Sequence, residues 1–170
     1  MRDVFQERAE VHYYKTWVLV AVPVAALSLQ AFLPTWLPGL AMLDFALLVT
    51  VYFASNRRSQ IVGLSMGAII GLVQDSLSSG PIGVFGIVKT IIGYLASSLG
   101  AHIDADSPLT RTLLIFSFHY LHAGLFWIVQ RVLLQKAAEL PGLNQLLAAL
   151  VNAVCGVIIF QLLDRLRQRE

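Results

Sequence analysis

A hairpin of two apolar segments, residues 61–100, constrains the fold of this chain more than any other feature. It reads IVGLSMGAIIGLVQDSLSSGPIGVFGIVKTIIGYLASSLG, and each apolar run approaches the length of a bilayer crossing on either side of a short SSGPIG turn. Asp75 ends the first run and Lys89 lies inside the second. Ionisable side chains at membrane depth are costly, so they indicate either a functional site or a paired structural contact.

The composition favours a membrane protein. Hydrophobic residues make up 57% of the chain and charged residues only 13%, whereas a soluble domain carries about 25% charged residues. The net charge of +2, without a basic patch that interleaves with aromatic residues, argues against nucleic-acid binding. The single cysteine, Cys155, lies in an apolar run and is predicted to be a packing residue.

Six segments approach the roughly 20 apolar residues that a bilayer crossing requires. They are approximately residues 15–33, 40–54, 61–77, 82–99, 109–134 and 143–163. The second and third segments are short, whereas the fifth is long and is expected to tilt. We therefore predict an all-α integral membrane protein in which residues 1–170 form a single transmembrane domain with six helices.

The charges of the loops predict the orientation of the bundle, because cytoplasmic loops are enriched in Lys and Arg. With the N-terminus in the cytoplasm, only Arg131 and Lys136 lie on the outer side. Both termini are therefore predicted to be cytoplasmic. The basic residues on the inner side are then Arg2, Arg8, Lys15, Arg57, Arg58, Arg111, Arg165, Arg167 and Arg169.

Depth along the helices predicts a cluster of polar side chains near the outer end of the bundle. From the helical rise, Asp75 lies about 5 Å and Lys89 about 10 Å from that end, a difference that a lysine side chain spans. Asp75 and Lys89 are therefore predicted to pair, with Asp44 and Gln74 at a similar depth. Three interpretations stay open for this cluster: a structural ion pair, a site that contacts a partner or substrate, or a proton or ion relay.

Small residues form stripes on the third and fourth predicted helices. Such stripes let membrane helices approach closely, which predicts a tight contact between these two helices. The alternative is that the stripe of the third helix walls a ligand cavity. The glycines concerned are Gly63, Gly67 and Gly71 on the third helix and Gly86, Gly93 and Gly100 on the fourth.

Two histidines, His119 and His122, are expected on one face of the fifth helix. They are predicted to form hydrogen bonds between helices, with Asn152 or Tyr94 as the partner. A metal site needs further ligands, and the acidic residues are expected at another depth, so neither a metal nor another cofactor is predicted. Nucleotide-binding, zinc-protease and serine-hydrolase motifs are absent from the sequence, so enzymatic activity is not expected.

The hairpin resembles the rod-shape-determining MreD family of bacteria, which shows a glycine-bearing helix, a Gly-Leu-x-x-Asp ending, a glycine turn and a helix closing near Tyr-Leu. The corresponding residues here are Gly71, Leu72, Asp75, Gly80, Gly83, Tyr94 and Leu95. The segment LPGLAMLDFALLVTVYFA, with Asp44 near its start and Tyr52 near its end, is also similar to the family. Lys89 has no counterpart in this pattern, so its role rests on this sequence alone.

The resemblance implies a non-enzymatic scaffold in the bacterial cytoplasmic membrane, with several crossings, that supports cell shape and sidewall peptidoglycan synthesis. The implied partner is an MreC-like single-pass membrane protein, and the larger complex would include MreB, RodA and a class B penicillin-binding protein. The family's bundle is also similar to the S components of energy-coupling-factor transporters. That similarity supplies the alternative function, a transporter subunit that binds a small molecule, although the outer loops are very short for closing over a substrate.

Overall fold

The computed structural model describes residues 15, 17–57, 59–103, 107–137 and 140–166, and within them the regular secondary structure is entirely helical. The all-α class and the six helical segments predicted from the sequence are confirmed in this part of the chain. The α-helices are α1 (Val18–Trp36), α2 (Phe45–Arg57), α3 (Gln60–Leu77), α4 (Val84–Gly100), α5 (Pro108–Ile128) and α6 (Leu143–Asp164). A 3₁₀ helix at Pro38–Met42 precedes α2, and a π-helical turn at Val129–Leu133 extends α5.

Among the described residues, four helices are long and apolar enough to cross a membrane: α1, α3, α6, and α5 together with its π-helical extension. Helix α4 is a shorter apolar helix, and the 13 residues of α2 extend about 20 Å. These lengths indicate a membrane protein, whereas six crossings and cytoplasmic termini stay predictions. Of the basic residues used to predict the orientation, Arg2, Arg8, Arg58, Arg167 and Arg169 lie outside the described residues.

The predicted start of the second helix at residue 40 is wrong. Residues Pro38–Met42 form the 3₁₀ helix instead, and α2 begins only at Phe45. Pro38 starts the 3₁₀ helix, and the Asp44 carboxylate accepts a hydrogen bond from the Leu47 N–H at 2.8 Å. An aspartate that binds the N–H three residues later caps a helix, which fixes the start of α2 at this point.

Helix α2 lies at the centre of the bundle and contacts α1, α3, α4, α5 and α6. Ten of its 13 residues are buried, as expected for a helix that is apolar on all sides. The ring of Tyr52 packs edge-on against Phe160 of α6, with 5.0 Å between the ring centroids. The longer helices therefore surround α2 and separate it from the lipid.

Glycines set the distance between α3 and α4, which form the most extensive contact between helices in the described chain. A methyl group added at Gly67 would overlap the carbonyl oxygen of Lys89, and one at Gly71 would overlap that of Phe85. A methyl group at Gly63 would likewise overlap the carbonyl oxygen of Gly93, and one at Gly93 would overlap that of Gly63. The two backbones are therefore in direct contact, as small residues in membrane helices permit.

The other two glycines of the predicted stripe on α4 have different neighbours. A methyl group at Gly86 would lie 2.9 Å from Leu72 Cδ2, so the α3 side chain rather than its backbone approaches here. At Gly100 it would overlap the carbonyl oxygen of Ser55. Gly100 therefore packs against α2, and the stripe contacts two helices rather than one.

Candidate functional site

An ion pair between Lys89 and Asp44 lies in the core. The Lys89 ammonium is fully buried and donates to both carboxylate oxygens of Asp44, at 3.2 Å to Oδ1 and 3.1 Å to Oδ2. Lys89 comes from α4, whereas Asp44 precedes α2. Because an isolated buried charge is strongly unfavourable, each residue makes the burial of the other tolerable.

Asn152 connects this ion pair to α6. Its Oδ1 accepts a hydrogen bond from the Asp44 backbone N–H at 2.9 Å, and its Nδ2 donates to the Met42 carbonyl at 2.7 Å. Both bonds join α6 to the chain just before α2. The structure therefore places Asn152 in an interhelical hydrogen-bond network with Asp44 and Lys89.

The predicted pairing of Asp75 with Lys89 is wrong. The Asp75 carboxylate instead accepts hydrogen bonds from three backbone N–H groups, those of Gly83 at 2.9 Å, Phe85 at 2.9 Å and Gly86 at 2.8 Å. Gly83 has a φ of +102°, a conformation that glycine adopts without strain. Asp75 therefore closes the turn between α3 and α4 by capping the start of α4.

Asp75 binds backbone N–H groups rather than Lys89 because it lies next to the start of α4. The first N–H groups of a helix have no partner within it, and a carboxylate is favourable there. Asp75, at the end of the antiparallel α3, is placed to satisfy them. The Lys89 ammonium then takes Asp44 as its partner, a contact that spans 45 positions of the chain.

Gln74, His119 and His122 carry buried polar atoms that lack hydrogen-bond partners in the described structure. These atoms are Gln74 Oε1, His119 Nδ1 and His122 Nε2. The hydrogen bonds between helices that were expected of the two histidines are not found among the described residues. The expectation that the acidic residues lie at another depth is also wrong, since His122 Nε2 is 3.8 Å from Asp44 Oδ2.

These unpartnered atoms belong to side chains that line one cavity, of about 740 Å³. The cavity is lined by the polar side chains of Asp44, Gln74, His119 and His122, by the rings of Phe85, Phe126 and Trp127, and by residues 140–145. We call these three groups its polar floor, its aromatic wall and its mouth. The cavity exists because α2 is much shorter than its neighbours. From the helical rise, α5 and α6 continue about 13–16 Å beyond the level of Asp44.

The aromatic wall was not predicted from the sequence. The rings of Phe85 and Phe126 stack with 5.1 Å between their centroids, and His122 stacks on Phe85 at 6.2 Å. Placing the start of the second helix at residue 40 concealed the cavity, because a longer helix would fill that space. The signal that was available is the Pro38–Gly39 pair, which is typical of a turn rather than a helix.

A second polar contact at the opposite end of the bundle was also missed. Arg111 was counted only as a basic residue of the inner side. It is buried in α5, and its Nη1 lies 2.7 Å from Asp164 Oδ2 of α6. The Tyr52 hydroxyl donates to Asp164 Oδ1 at 2.9 Å. The sequence signal was an arginine near the start of one apolar segment and an aspartate near the end of the next.

The polar side chains of the core therefore serve mainly to join helices. Asp44, Lys89, Asn152 and Asp75 each bind another part of the protein. Among the described residues, no group of three or more His, Cys, Asp or Glu side chains is placed to hold a metal ion.

An all-helical bundle with long apolar helices and a core of paired polar side chains defines a helical membrane protein. The family model of the rod shape-determining protein MreD matches residues 13–166, nearly the whole chain. The chain therefore belongs to the MreD family, as its resemblance indicated, and membership implies a role in rod shape determination. No curated protein and no solved structure matches it.

Proposed function

We propose that this protein is a non-enzymatic scaffold of the cell-elongation machinery, which spans the bacterial cytoplasmic membrane several times and binds a membrane-anchored, MreC-like partner. The observation that carries the proposal is the family match over residues 13–166. In this role the bundle supports sidewall peptidoglycan synthesis by organising the partner together with MreB, RodA and a class B penicillin-binding protein.

The contacts within the bundle support a scaffold. The α3–α4 pair is held by backbone contact at Gly67 and Gly71 and by the Asp75 cap at the α3–α4 turn. A hairpin fixed at both its turn and its helix interface presents a rigid surface, and a rigid surface loses little conformational freedom when it binds a partner.

Co-purification tests this proposal. The tagged protein would replace the native copy in a rod-shaped bacterium, be solubilised gently, and be purified. We expect an MreC-like single-pass protein to co-purify and the cells to keep their rod shape. Gly67→Leu, which forces α3 away from α4, should lose both the partner and the rod shape, whereas Gly124→Ala should keep both because nothing lies near that position.

Loss of the partner in Gly67→Leu has to be separated from loss of the protein itself. The amount of each variant in the membrane is therefore measured together with the partner. A correctly inserted wild-type protein that restores the rod shape, yet captures no MreC-like protein even after crosslinking in intact membranes, would contradict the scaffold.

A further inference from the structure

We propose that the cavity above α2 binds a neutral, hydroxyl-bearing group such as a sugar ring. This inference concerns a small ligand and does not rest on the partner protein proposed above. It follows from the unpartnered polar atoms of the cavity, its size, its charge and its aromatic wall.

The unpartnered atoms point to a ligand because they cost stability without one. Gln74, His119 and His122 are only 7%, 5% and 8% exposed, and each has a buried polar atom without a partner in the described structure. Buried polar groups are nearly always hydrogen-bonded, so exceptions call for an explanation. The three side chains that carry these atoms all line the same cavity, so a ligand that occupies it is in position to supply their partners.

The volume of the cavity fits an organic ligand. At about 740 Å³ it lies within the range of roughly 300–1,000 Å³ that is typical of small-molecule sites. The rings of Phe85, Phe126 and Trp127 provide flat apolar walls, which suit the apolar face of a ring-shaped ligand. A polar floor below such walls would hold one edge of that ring.

The charge of the cavity favours a neutral ligand. None of the described residues that line it is a lysine or an arginine, so none of them carries a fixed positive charge that would neutralise a phosphate or a carboxylate. The Asp44 carboxylate is already neutralised by Lys89 at 3.1 Å, so an organic cation would find no spare negative charge. Burying an unpaired charge at this depth would be costly for either kind of ligand.

The hydrogen-bonding atoms favour hydroxyl groups in particular. Gln74 Oε1 only accepts, so it requires a donor, while an imidazole nitrogen donates or accepts according to its tautomer. A hydroxyl group does both. His122 Nε2 and Asp44 Oδ2 are 3.8 Å apart, too far for a direct hydrogen bond but close enough for one oxygen to contact both.

Two sources would supply this chemistry: a free sugar, or the sugar head group of a membrane amphiphile. The exposed apolar side chains of Leu140 and Leu143 at the mouth offer a path for an alkyl chain. Maltose and dodecyl maltoside are therefore the two probes. Dodecyl sulfate and dodecyltrimethylammonium, with the same chain and charged head groups, are the controls for charge.

Binding is measured on the full-length protein in phosphatidylcholine nanodiscs, with each amphiphile below its micelle concentration. Trp127 reports binding through its fluorescence after Trp17 and Trp36 are replaced by phenylalanine. We expect saturable binding of a maltose-bearing probe. Replacing Gln74→Leu and His119→Phe together should weaken that binding at least about tenfold, since it removes two hydrogen bonds to the ligand.

The same double replacement should raise the melting temperature without sugar, because it removes two buried polar groups that lack partners. Gln60→Leu on α3, whose side chain bonds Ser98 far from the cavity, is the matched control and should leave binding unchanged. Ala123→Leu narrows the cavity without replacing any residue of its polar floor, so it should also weaken binding. This variant tests the proposal if the double variant does not fold.

The outcomes separate the two sources. Binding of both probes indicates a free sugar site, and binding of dodecyl maltoside alone indicates an amphiphile head group. The proposal is overturned if neither probe saturates, if the charged amphiphiles bind as well as dodecyl maltoside, or if Gln60→Leu weakens binding as much as the cavity variants.

Discussion

Lys89 Nζ lies 3.1 Å from Asp44 Oδ2, and the same carboxylate caps the start of α2 through the N–H of Leu47. The ion pair and the helix cap therefore share one side chain. This arrangement fixes where α2 begins, attaches α4 to that point, and leaves the space above it as the cavity. A change at Asp44 is therefore expected to affect the start of α2, its attachment to α4 and the cavity.

We predict that Asp44→Asn destabilises the protein by about 3–5 kcal/mol, because removing one partner leaves the other charge buried and unpaired. Asparagine retains an oxygen that accepts from Leu47, so the cap survives and the loss reports the charge alone. Thermal unfolding of the purified protein in detergent measures the effect.

The matched test of this charge effect is the double variant Asp44→Asn/Lys89→Met. Methionine has nearly the shape of lysine without its charge, and replacing a buried ion pair by apolar groups is often neutral. We expect the double variant to recover most of the lost stability. A double variant no more stable than Asp44→Asn would show that the pair is not what stabilises this site.

Asp75 is expected to act through the backbone of α4 rather than through Lys89. Asp75→Ala leaves the N–H groups of Gly83, Phe85 and Gly86 without their acceptor, and we predict a loss of at least about 2–3 kcal/mol. Ser76→Ala is the matched control, since Ser76 is exposed and bonds only its own helix. Thermal unfolding compares the two.

A second replacement distinguishes the cap from the ion pair predicted by the sequence. If Asp75 paired with Lys89, adding Lys89→Met to Asp75→Ala would restore stability. We expect no such recovery, because Lys89→Met also removes the partner of Asp44. Recovery in the double variant would refute the capping role.

The helices were predictable from the sequence because a membrane-spanning helix requires a long apolar segment, which is easy to recognise. The partners of the charges were not, because depth along a helix does not reveal which face a side chain occupies. Asp44, Asp75 and Lys89 lie at similar depths, so depth alone allowed either aspartate to pair with the lysine. The unpaired N–H groups at the start of α4 decided between them, and they become visible only when the turn is in place.

Glycine packing predicts opposite effects on stability when Gly67 and Gly124 are each replaced by alanine. At Gly67 a methyl group would overlap the Lys89 carbonyl oxygen, whereas at Gly124 nothing lies within 4 Å. We expect Gly67→Ala to lose about 1–3 kcal/mol through overpacking, and Gly124→Ala to gain up to about 1 kcal/mol from the better helix propensity of alanine. Equal melting temperatures for both variants would contradict backbone contact between α3 and α4.

The last prediction concerns Asn152, whose side chain joins α6 to the residues just before α2. Asn152→Leu leaves the Asp44 N–H and the Met42 carbonyl without their partner, and each unsatisfied group costs about 1–3 kcal/mol. We therefore expect a large fall in thermal stability, whereas Gln161→Leu, at an exposed position of the same helix, should have little effect. Hydrogen exchange locates the change: faster exchange confined to residues 43–48 supports the contact, and exchange that rises equally along all of α6 would show that the variant disrupts the helix itself.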